Sequence, residues 1–267
     1  AAASAPAVQQ QQQQQQQKPA RLAHPLDIDQ LVRGGSDLPS ELEEPPSATA
    51  DKVFFVFNNI SPDNVATKAA DLRAVLDARY APWLANYLVE RRLSVEYNFH
   101  DLYLHFVEEL AMPGLPQALL GMTARAVRRL LSGDKVITDI PERALLKNLG
   151  AWLGLSTLAR NKPLLMRDVK LKELLIHAYE RGRMVAVVPF VCKVLGACPH
   201  SIVFRPPNPW LMAMLRLLAE IYALPDLKLN LKFEIEVLCK AIDVVLSDVQ
   251  PSTLLRGRQA RVTEHDF

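Results

Sequence analysis

Hydrophobic residues between residues 51 and 246 recur at the spacing of one face of an α-helix. The pattern is clearest in a stretch with spacing i, i+3, i+4, i+7, i+8 and i+11, which comprises Phe99, Leu102, Tyr103, Phe106, Val107 and Leu110. Comparable patterns predict helices over residues 119–131, 141–160, 170–180, 184–197, 208–224 and 228–246. Together with weaker patterns before residue 99, they predict about nine helices.

Helix boundaries are marked by capping residues, proline and glycine. Asp51 and Ser61 are typical helix starts, and Asn208 combines a capping side chain with a proline next in the sequence. Gly150 and Gly154 lie about one turn apart inside a predicted helix, where each glycine costs about 1 kcal/mol against alanine. The two glycines therefore indicate that a neighbouring backbone approaches this helix closely.

One segment has a mixed pattern, and one predicted helix is unusually apolar. Residues 227–237 (LKLNLKFEIEV) alternate apolar and polar, which is the period of a half-buried strand, yet Leu231, Ile235 and Leu238 also stand at helical spacing. A lone strand among helices would leave its backbone groups unpaired, so we predict a helix. The helix at residues 210–224 is apolar almost all round, which predicts that it lies deep in the core.

These elements predict an all-α protein, an α-solenoid of about five stacked, antiparallel, HEAT-like helix pairs. The glutamine run at residues 9–17 predicts a disordered tail over residues 1–24, because a polar low-complexity tract buries too little apolar area to offset its ordering entropy. Residues 25–50 are predicted as a linker with room for one short helix, residues 51–255 as the folded domain and residues 256–267 as a tail.

Composition narrows the classes of partner. The 267 residues carry a net charge of +2, so charge gives no support for a nucleic acid or a membrane as the main partner. No apolar run reaches the roughly 18 residues that a membrane helix needs. The chain does not begin with Met and shows no signal pattern, so we expect a piece of a longer protein. Three cysteines without a C-x-x-C pair predict reduced thiols in a cytosolic or nuclear setting.

Few residues in the sequence are candidates for metal binding or catalysis. Asp101, His105 and Glu109 form a helical stripe whose groups can bind a metal or act as a base. A second set of metal-ligand types is Cys192, Cys198 and His200. The stripe lacks the H-E-x-x-H pattern and the second set fits no usual zinc spacing, so a solvated helix face and buried thiols are favoured. Phosphate-binding glycine loops and the G-x-S-x-G turn are also absent, and we predict no catalytic residue, no metal, no cofactor and no enzyme.

A family resemblance rests on an ordered set of segments: FNNIS, YAPWLANYLV, NFHDLYLHF, LLKNLGAWLG, LARNKPLL, RPPNPWLMAMLRLLAEIY and LKLNLKFEIEVL. Over about residues 51–255, the chain resembles the central HEAT-like domain of Not1-type scaffold subunits of the Ccr–Not deadenylase complex. That domain is of the initiation factor 4G middle-domain type, and the complex shortens mRNA poly(A) tails. The resemblance implies a non-catalytic scaffold for protein–protein interaction in mRNA decay and RNA-mediated gene silencing.

The resemblance also implies two direct partners, a Caf-type deadenylase and a DEAD-box RNA helicase of the Dhh/Rck class, which link poly(A) shortening to translational repression and decapping. Other Ccr–Not subunits would bind the rest of the longer chain, and RNA contact would be indirect. The residues implied for the helicase are Arg92, Glu96, Asn98, Phe99, Asn148, Trp152, Arg160 and Asn161. The residues implied for the deadenylase are Pro207, Asn208, Trp210, Lys228, Asn230, Lys232 and Phe233.

Two alternatives stay open. Asn98, Asn161 and Asn208 are also the residue type that helix ends need, so capping explains each of them without a partner. An RNA-binding or translation-initiation-type HEAT scaffold would use basic groups such as Arg125, Arg128 and Arg129 along a nucleic-acid backbone, although such groups more often form a solvated helix face. For location, the resemblance implies cytoplasmic processing bodies, with the nucleus as a second setting.

Overall fold

Helices account for almost all regular structure in the described part of this protein. A computed structural model describes residues 31–32, 41–165 and 168–267, and within these ranges it contains eleven α-helices and no β-sheet. The predicted all-α class is confirmed. In chain order the helices are α1 (Ser47–Asn59), α2 (Val65–Arg73), α3 (Ala81–Leu88), α4 (His100–Leu110), α5 (Leu115–Ser132), α6 (Lys135–Thr138), α7 (Ile140–Ser156), α8 (Leu171–Arg181), α9 (Met184–Leu195), α10 (Pro209–Tyr222) and α11 (Leu229–Ala241).

Irregular turns extend several of these helices. A π-helical turn, Val89–Leu93, continues α3 directly, and such turns occur frequently at functional sites. A 3₁₀ turn, Tyr97–Phe99, leads into α4, and another, Leu158–Arg160, follows α7. These turns carry several of the residues that the resemblance implies for partner binding.

The largest helix contacts join a helix to the helix after next. The main contacts join α2 to α4, α3 to α5, α7 to α9 and α9 to α11. Sequence neighbours such as α8 and α9, or α10 and α11, are joined by short turns and also pack on each other. This alternation is the arrangement of stacked helix pairs, so the predicted α-solenoid is confirmed.

Helix α9 forms the centre of the core. Its residues from Met184 to Leu195 are all buried except Lys193, which is partly exposed. The prediction that α10 is the deeply buried helix is wrong, because Ala213 and Arg216 of α10 are exposed. The reason is position in the stack: α10 packs mainly on α11, whereas α9 packs on α7, α8 and α11.

The close approach predicted at Gly150 and Gly154 is confirmed. A β-carbon added to Gly150 would lie 2.8 Å from the carbonyl oxygen of Phe190, and one added to Gly154 would lie closer still to the carbonyl oxygen of Val194. Both distances are too short for a real side chain. Helices α7 and α9 therefore pack this tightly because both positions are glycine.

The segment with mixed periodicity is helical, as predicted, and forms most of α11. Leu231, Ile235 and Leu238 are buried at the helical spacing. Asn208 caps α10, also as predicted, because its side-chain oxygen accepts hydrogen bonds from the N–H groups of Trp210 and Leu211 at 2.9 and 3.1 Å. Local sequence signals therefore identified both C-terminal helices, although α11 ends at Ala241 rather than at the predicted residue 246.

Two predicted helix starts are wrong. Helix α1 begins at Ser47, so Asp51 lies inside it rather than at its cap. Helix α2 begins at Val65 rather than near Ser61. The N–H of Ser61 donates to the side-chain oxygen of Asn64 at 2.8 Å, so the intervening residues form a separate turn before the helix starts.

The flanks of the predicted domain pack on it where they are described. The predicted disordered tail, residues 1–24, lies outside the described residues. Within the predicted linker, Leu31 and Val32 are buried, and the N–H of Lys170 donates to the carbonyl of Leu31 at 2.8 Å. Residues 252–267, which we name the C-terminal strap, fold back over α8, α9 and α10. The domain limits at residues 51 and 255 stay a prediction.

Candidate interaction surfaces

The first surface is the rim, which comprises Arg92, Glu96, Asn98, Phe99 and Asn148. Arg92 lies on the π-helical turn, where its guanidinium donates to the Tyr87 hydroxyl at 3.0 Å and to the Asn58 side-chain oxygen at 2.5 Å. A third bond of 3.0 Å joins it to the Glu96 carboxylate. The side chain is only 16% exposed. A partner would therefore meet Arg92 as part of a fixed network that joins α1, α3 and the turn before α4.

Electrostatics and aromatic packing hold this network in place. Burial opposes the charge on Arg92, but Tyr87 and Glu96 outweigh it and raise the pKa of the guanidinium. Glu96 also accepts a hydrogen bond from the Tyr103 hydroxyl, and burial together with that carboxylate raises the pKa of Tyr103. The Tyr87 ring stacks on Trp83 with 6.1 Å between ring centres. Sequence reasoning missed Asn58, Tyr87 and Tyr103, because they come from three different helices.

The exposed part of the rim is formed by two neighbouring residues, Asn98 and Phe99. The Phe99 ring lies 6.1 Å from the ring of Tyr103. Asn148 of α7 belongs to the same surface, because its side-chain amide donates to the carbonyl of Ser94 at 2.8 Å. Asn98 does not cap α4, which begins two residues later after a 3₁₀ turn. Its side chain is therefore open to a partner.

The predicted partner contact of Trp152 is wrong. Its side chain is 1% exposed and packs edge-on against His100, with 5.7 Å between ring centres. Trp152 is therefore part of the core beneath the rim. His100 Nε2 lies 2.7 Å from the carbonyl oxygen of Leu93, and burial lowers the pKa of this histidine despite that bond. Burial therefore favours the neutral form of this histidine behind the rim.

A cleft of about 440 Å³ separates the rim from α11. Tyr97 and Asn98 line its rim side, and Glu234 and Val237 line its α11 side. Lys193 of α9 lies between them, with its ammonium group 5.8 Å from the centre of the Tyr97 ring. The cleft thus contains both apolar and charged side chains, and each wall borders a candidate surface.

Helix α7 connects the two walls of the cleft. Lys147 forms an ion pair with Glu234 of α11, and the next residue, Asn148, bonds to the carbonyl of Ser94 behind the rim. Two consecutive side chains therefore reach in different directions and hold α11 and the rim at a set separation.

The second surface is the outer face of α11. Leu229, Phe233 and Val237 stand about one turn apart and are 81%, 64% and 42% exposed. Only Phe233 of this row is among the residues predicted for the deadenylase, although Leu229 and Val237 are the apolar residues that remain once the core face is assigned. Three polar residues border this row, and all three are predicted to contact the deadenylase: Lys228, Asn230 and Lys232.

A third region is the corner between α7 and α10, which comprises Arg160, Asn161, Pro207, Asn208 and Trp210. The side-chain oxygen of Asn161 accepts from the N–H of Ile202 at 3.0 Å. The Asn208 amide donates to the carbonyl of Val203 at 2.9 Å. Both asparagines therefore hold the same loop, so their structural role is established and a partner role stays a prediction.

The residues predicted for each partner do not all lie in one place. Arg160 pairs with Glu108 at 2.7 Å, near the end of α4 and about 13 Å along that helix from the rim. Trp210 is the second residue of α10, whereas Lys232 lies over the ring of Tyr222 at the other end of that helix, about 18 Å away. Each predicted set therefore includes residues at the corner as well as residues on its own surface, and the assignment of these residues to a partner stays a prediction.

The candidate chemical sites have structural explanations. His105 and Glu109 form an exposed pair on α4, with 3.5 Å between Nε2 and Oε1. The three cysteines are buried as free thiols, and burial raises the pKa of Cys198 to about 12. Among the described residues, no three His, Cys, Asp or Glu side chains are grouped to hold a metal ion. Within the same ranges, the helices are too short or too polar to span a membrane.

Two of the basic residues considered for RNA are engaged inside the domain. The guanidinium of Arg128 donates to the carbonyl of Val32 at 2.7 Å. That of Arg129 donates to the carboxylate of Glu90 at 2.8 Å. These bonds favour a structural role for this helix face over a path for a nucleic-acid backbone.

The fold and its surfaces are those of a helical-repeat interaction domain. A family model described as the CCR4-NOT transcription complex subunit 1 CAF1-binding domain matches residues 41–265. The chain belongs to this family. The match confirms the resemblance to Not1-type scaffold subunits, and it agrees with the prediction that the chain is not an enzyme, because the family is defined by binding.

Relatives of the chain come from animals and fungi. It is 41% identical over 244 residues to the CCR4-NOT transcription complex subunit let-711 of Caenorhabditis elegans, an overlap of 88% of this chain and 9% of that protein. It is 41% identical over 217 residues to the General negative regulator of transcription subunit 1 of Schizosaccharomyces pombe, covering 81% and 10%. The subunit of that name from Saccharomyces cerevisiae is 38% identical over 214 residues, covering 80% and 10%. The chain spans about a tenth of the length of these relatives.

Proposed function

We propose that the chain is a non-catalytic docking platform that binds a CAF1-type deadenylase through the outer face of α11. The family to which it belongs is described by CAF1 binding. The exposed apolar row of Leu229, Phe233 and Val237 is the observation that carries the choice of surface. Apolar side chains in a contiguous exposed patch favour an interaction site over a surface that meets only water.

The chemistry of this row fits a protein partner. Three apolar side chains at i, i+4 and i+8 present one continuous stripe, and an aromatic ring at its centre is the usual kind of anchor residue. Lys228 and Asn230 lie exposed beside the stripe, where polar groups set orientation more than affinity. Phe233 is therefore expected to contribute most of the binding free energy.

A charge-introducing substitution tests this proposal. In the full chain, Phe233→Glu should weaken binding to a purified CAF1-type deadenylase by about 30-fold or more, because a hot-spot residue contributes at least about 2 kcal/mol. Isothermal titration calorimetry measures the affinity. Phe55→Glu is the matched control: Phe55 is also a helical phenylalanine, 57% exposed, but it lies on α1. Its affinity should change less than about threefold.

Two results would overturn the proposal. One is an absence of binding between the unmodified chain and the deadenylase. The other is an equal affinity of Phe233→Glu and the unmodified chain, which would place the partner elsewhere on the domain. Circular dichroism of both variants checks that they remain helical.

A second partner, a DEAD-box RNA helicase of the Dhh/Rck class, is proposed for the rim. The support is a polar network that is already bonded in the free protein, with Asn98 and Phe99 exposed at its edge. A prearranged surface of this kind loses little conformational freedom on binding. Phe99→Ala should weaken helicase binding about tenfold and leave deadenylase binding unchanged. Val95→Ala, exposed four residues earlier, is the control, and equal effects of the two variants would contradict this assignment.

The proposed consequence is that one domain brings poly(A) shortening together with translational repression and decapping. Both partners should then bind one chain at once, because the rim and α11 lie on different walls of the cleft. Size-exclusion chromatography of the three purified proteins should show a single ternary complex. Strict competition between the partners would contradict this. We also propose cytoplasmic processing bodies as the location, with the nucleus as a second setting, and imaging of the tagged chain tests it.

A further inference from the structure

The C-terminal strap contains Asp266, a fully buried carboxylate. Its Oδ2 accepts from the N–H of Met184 at 3.0 Å, and its Oδ1 accepts from the N–H of Val185 at 2.6 Å. These two N–H groups open α9, and the residue before them, Arg183, has no acceptor with which to cap the helix. Asp266 therefore caps α9 from 82 residues away in the sequence, where a negative charge also suits the helix dipole.

The same residue reaches α11. The carbonyl oxygen of Asp266 accepts from the N–H of Lys228 at 3.0 Å, directly before the first residue of α11. A lysine side chain has no acceptor atom, so Lys228 cannot cap this helix by itself. Asp266 thus joins the first turns of α9 and α11 through three hydrogen bonds.

The path of the strap is set before it reaches this point. The N–H of Leu255 donates to the Glu220 carboxylate of α10 at 3.0 Å. Further along, the strap passes so close to the turn between α8 and α9 that a β-carbon on Gly182 would overlap the Thr263 side chain. Gly182 also has a φ of +68°, a conformation that glycine adopts without strain. The strap is therefore packed into the domain rather than attached loosely to it.

We propose that Asp266 is a positioning residue for deadenylase docking, which holds the first turn of α11 on α9 and so places Leu229 and Phe233 for the partner. This rests on the proposed function of the α11 face. Asp266 is buried, so it acts through the backbone of α11 rather than by contact. Binding is stronger when the docking helix is ordered beforehand, because the partner does not have to order it. The anchor lies one residue beyond the family match, which ends at residue 265.

Two substitutions and one control in the full chain test this role. Asp266→Ala removes both side-chain acceptors, whereas Asp266→Asn keeps one. Glu264→Ala, at an exposed side chain of the same strap, is the matched control. Hydrogen exchange followed by NMR reports the amides of Met184, Val185 and Lys228, and calorimetry reports the affinities for the CAF1-type deadenylase and for the DEAD-box helicase.

We expect a graded and local effect. Asp266→Ala should speed exchange of the three amides and weaken deadenylase binding about tenfold, and Asp266→Asn should weaken it about threefold. Helicase binding at the rim should not change in either variant. A general loss of structure would weaken helicase binding as well. Glu264→Ala should alter none of these values.

The outcomes separate the two proposals. Faster exchange with unchanged deadenylase affinity would overturn the positioning role and leave the docking function standing. Equal loss of helicase and deadenylase binding would also overturn it, because the effect would then be global. If the unmodified chain binds no deadenylase, the docking function itself fails. Should Asp266→Ala lose its helical circular dichroism, Asp266→Asn decides by the same criteria, since its amide oxygen still accepts one bond.

Discussion

The rim and the outer face of α11 flank one cleft, but they are built in opposite ways. At the rim, polar groups bond to one another, and Arg92 alone holds side chains from two helices and from Glu96. On α11, the side chains of Leu229 and Phe233 stand exposed. A polar surface fixed by its own bonds favours one orientation of a partner, whereas an exposed apolar surface supplies affinity when it is buried. A single scaffold can therefore offer two kinds of recognition.

The largest effect is expected where α7 and α9 touch, because both surfaces depend on that contact. Gly154→Ala would press a methyl group against the Val194 carbonyl and lower the free energy of unfolding by about 3 kcal/mol. Urea denaturation measures the change. Gly196→Ala, where the nearest atom would lie 3.3 Å away, is the control and should cost less than about 1 kcal/mol. Equal losses would mean that the close approach of α7 to α9 does not set the cost of the added methyl group.

The next effect tests whether the rim is held by its own bonds. Arg92→Ala should lower the free energy of unfolding by about 2 kcal/mol, because it removes four hydrogen bonds and leaves Glu96 less well paired. Arg91→Ala, at the exposed neighbour, should change it by less than about 0.5 kcal/mol. Denaturant titrations of both variants give the comparison. Similar values would contradict the picture of a prearranged rim.

Lowering the pH should destabilise the folded domain through His100, which lies behind the rim. Burial lowers the pKa of His100 below its usual 6.5, so the folded state stays neutral at pH values where the unfolded chain already takes up a proton. The free energy of unfolding therefore falls as pH drops below about 6.5, by at most about 1.4 kcal/mol per pH unit for one proton. Denaturation at pH 7.5 and 5.5 should show a larger loss in the unmodified chain than in His100→Gln. Equal losses would assign the pH effect to other groups.

The smallest effect on stability is expected on α11. Phe233→Ser should change the free energy of unfolding by less than about 0.5 kcal/mol, because the ring is largely exposed. Ile235→Ser, on the core face of the same helix, should cost more than about 2 kcal/mol. Thermal or urea unfolding compares them. If Phe233→Ser costs as much as Ile235→Ser, the apolar row belongs to the core and is no docking surface.

Most of the fold could be predicted from the sequence, because helical spacing and capping are local signals. Leu231 and Ile235 reveal the core face of α11 even though the segment alternates like a strand. The depth of each helix could not be predicted, since it depends on which helices cover it. That is why α10 is less buried than its composition indicates, and why α9 takes its place.

The candidate surfaces could be predicted only as separate residues. Trp152 carries no local mark that distinguishes a buried ring from an exposed one, and its burial depends on the packing of α4 and α7. Asn161 and Asn208 hold one loop although they are far apart in the sequence. The strap lacks helical periodicity, and its order comes from tertiary bonds such as those of Asp266. Long-range contacts of this kind leave no pattern in a single sequence.

The burial of all three native thiols has a practical consequence for spectroscopy. Cys192, Cys198 and Cys239 lie inside the core, and burial raises the pKa of each, so thiol-directed dyes will attach to them slowly. A cysteine introduced at an exposed position then becomes the one fast-labelling site, without removal of any natural residue. Pairs of fluorophores placed this way on the two walls can report the width of the cleft as partners bind and dissociate.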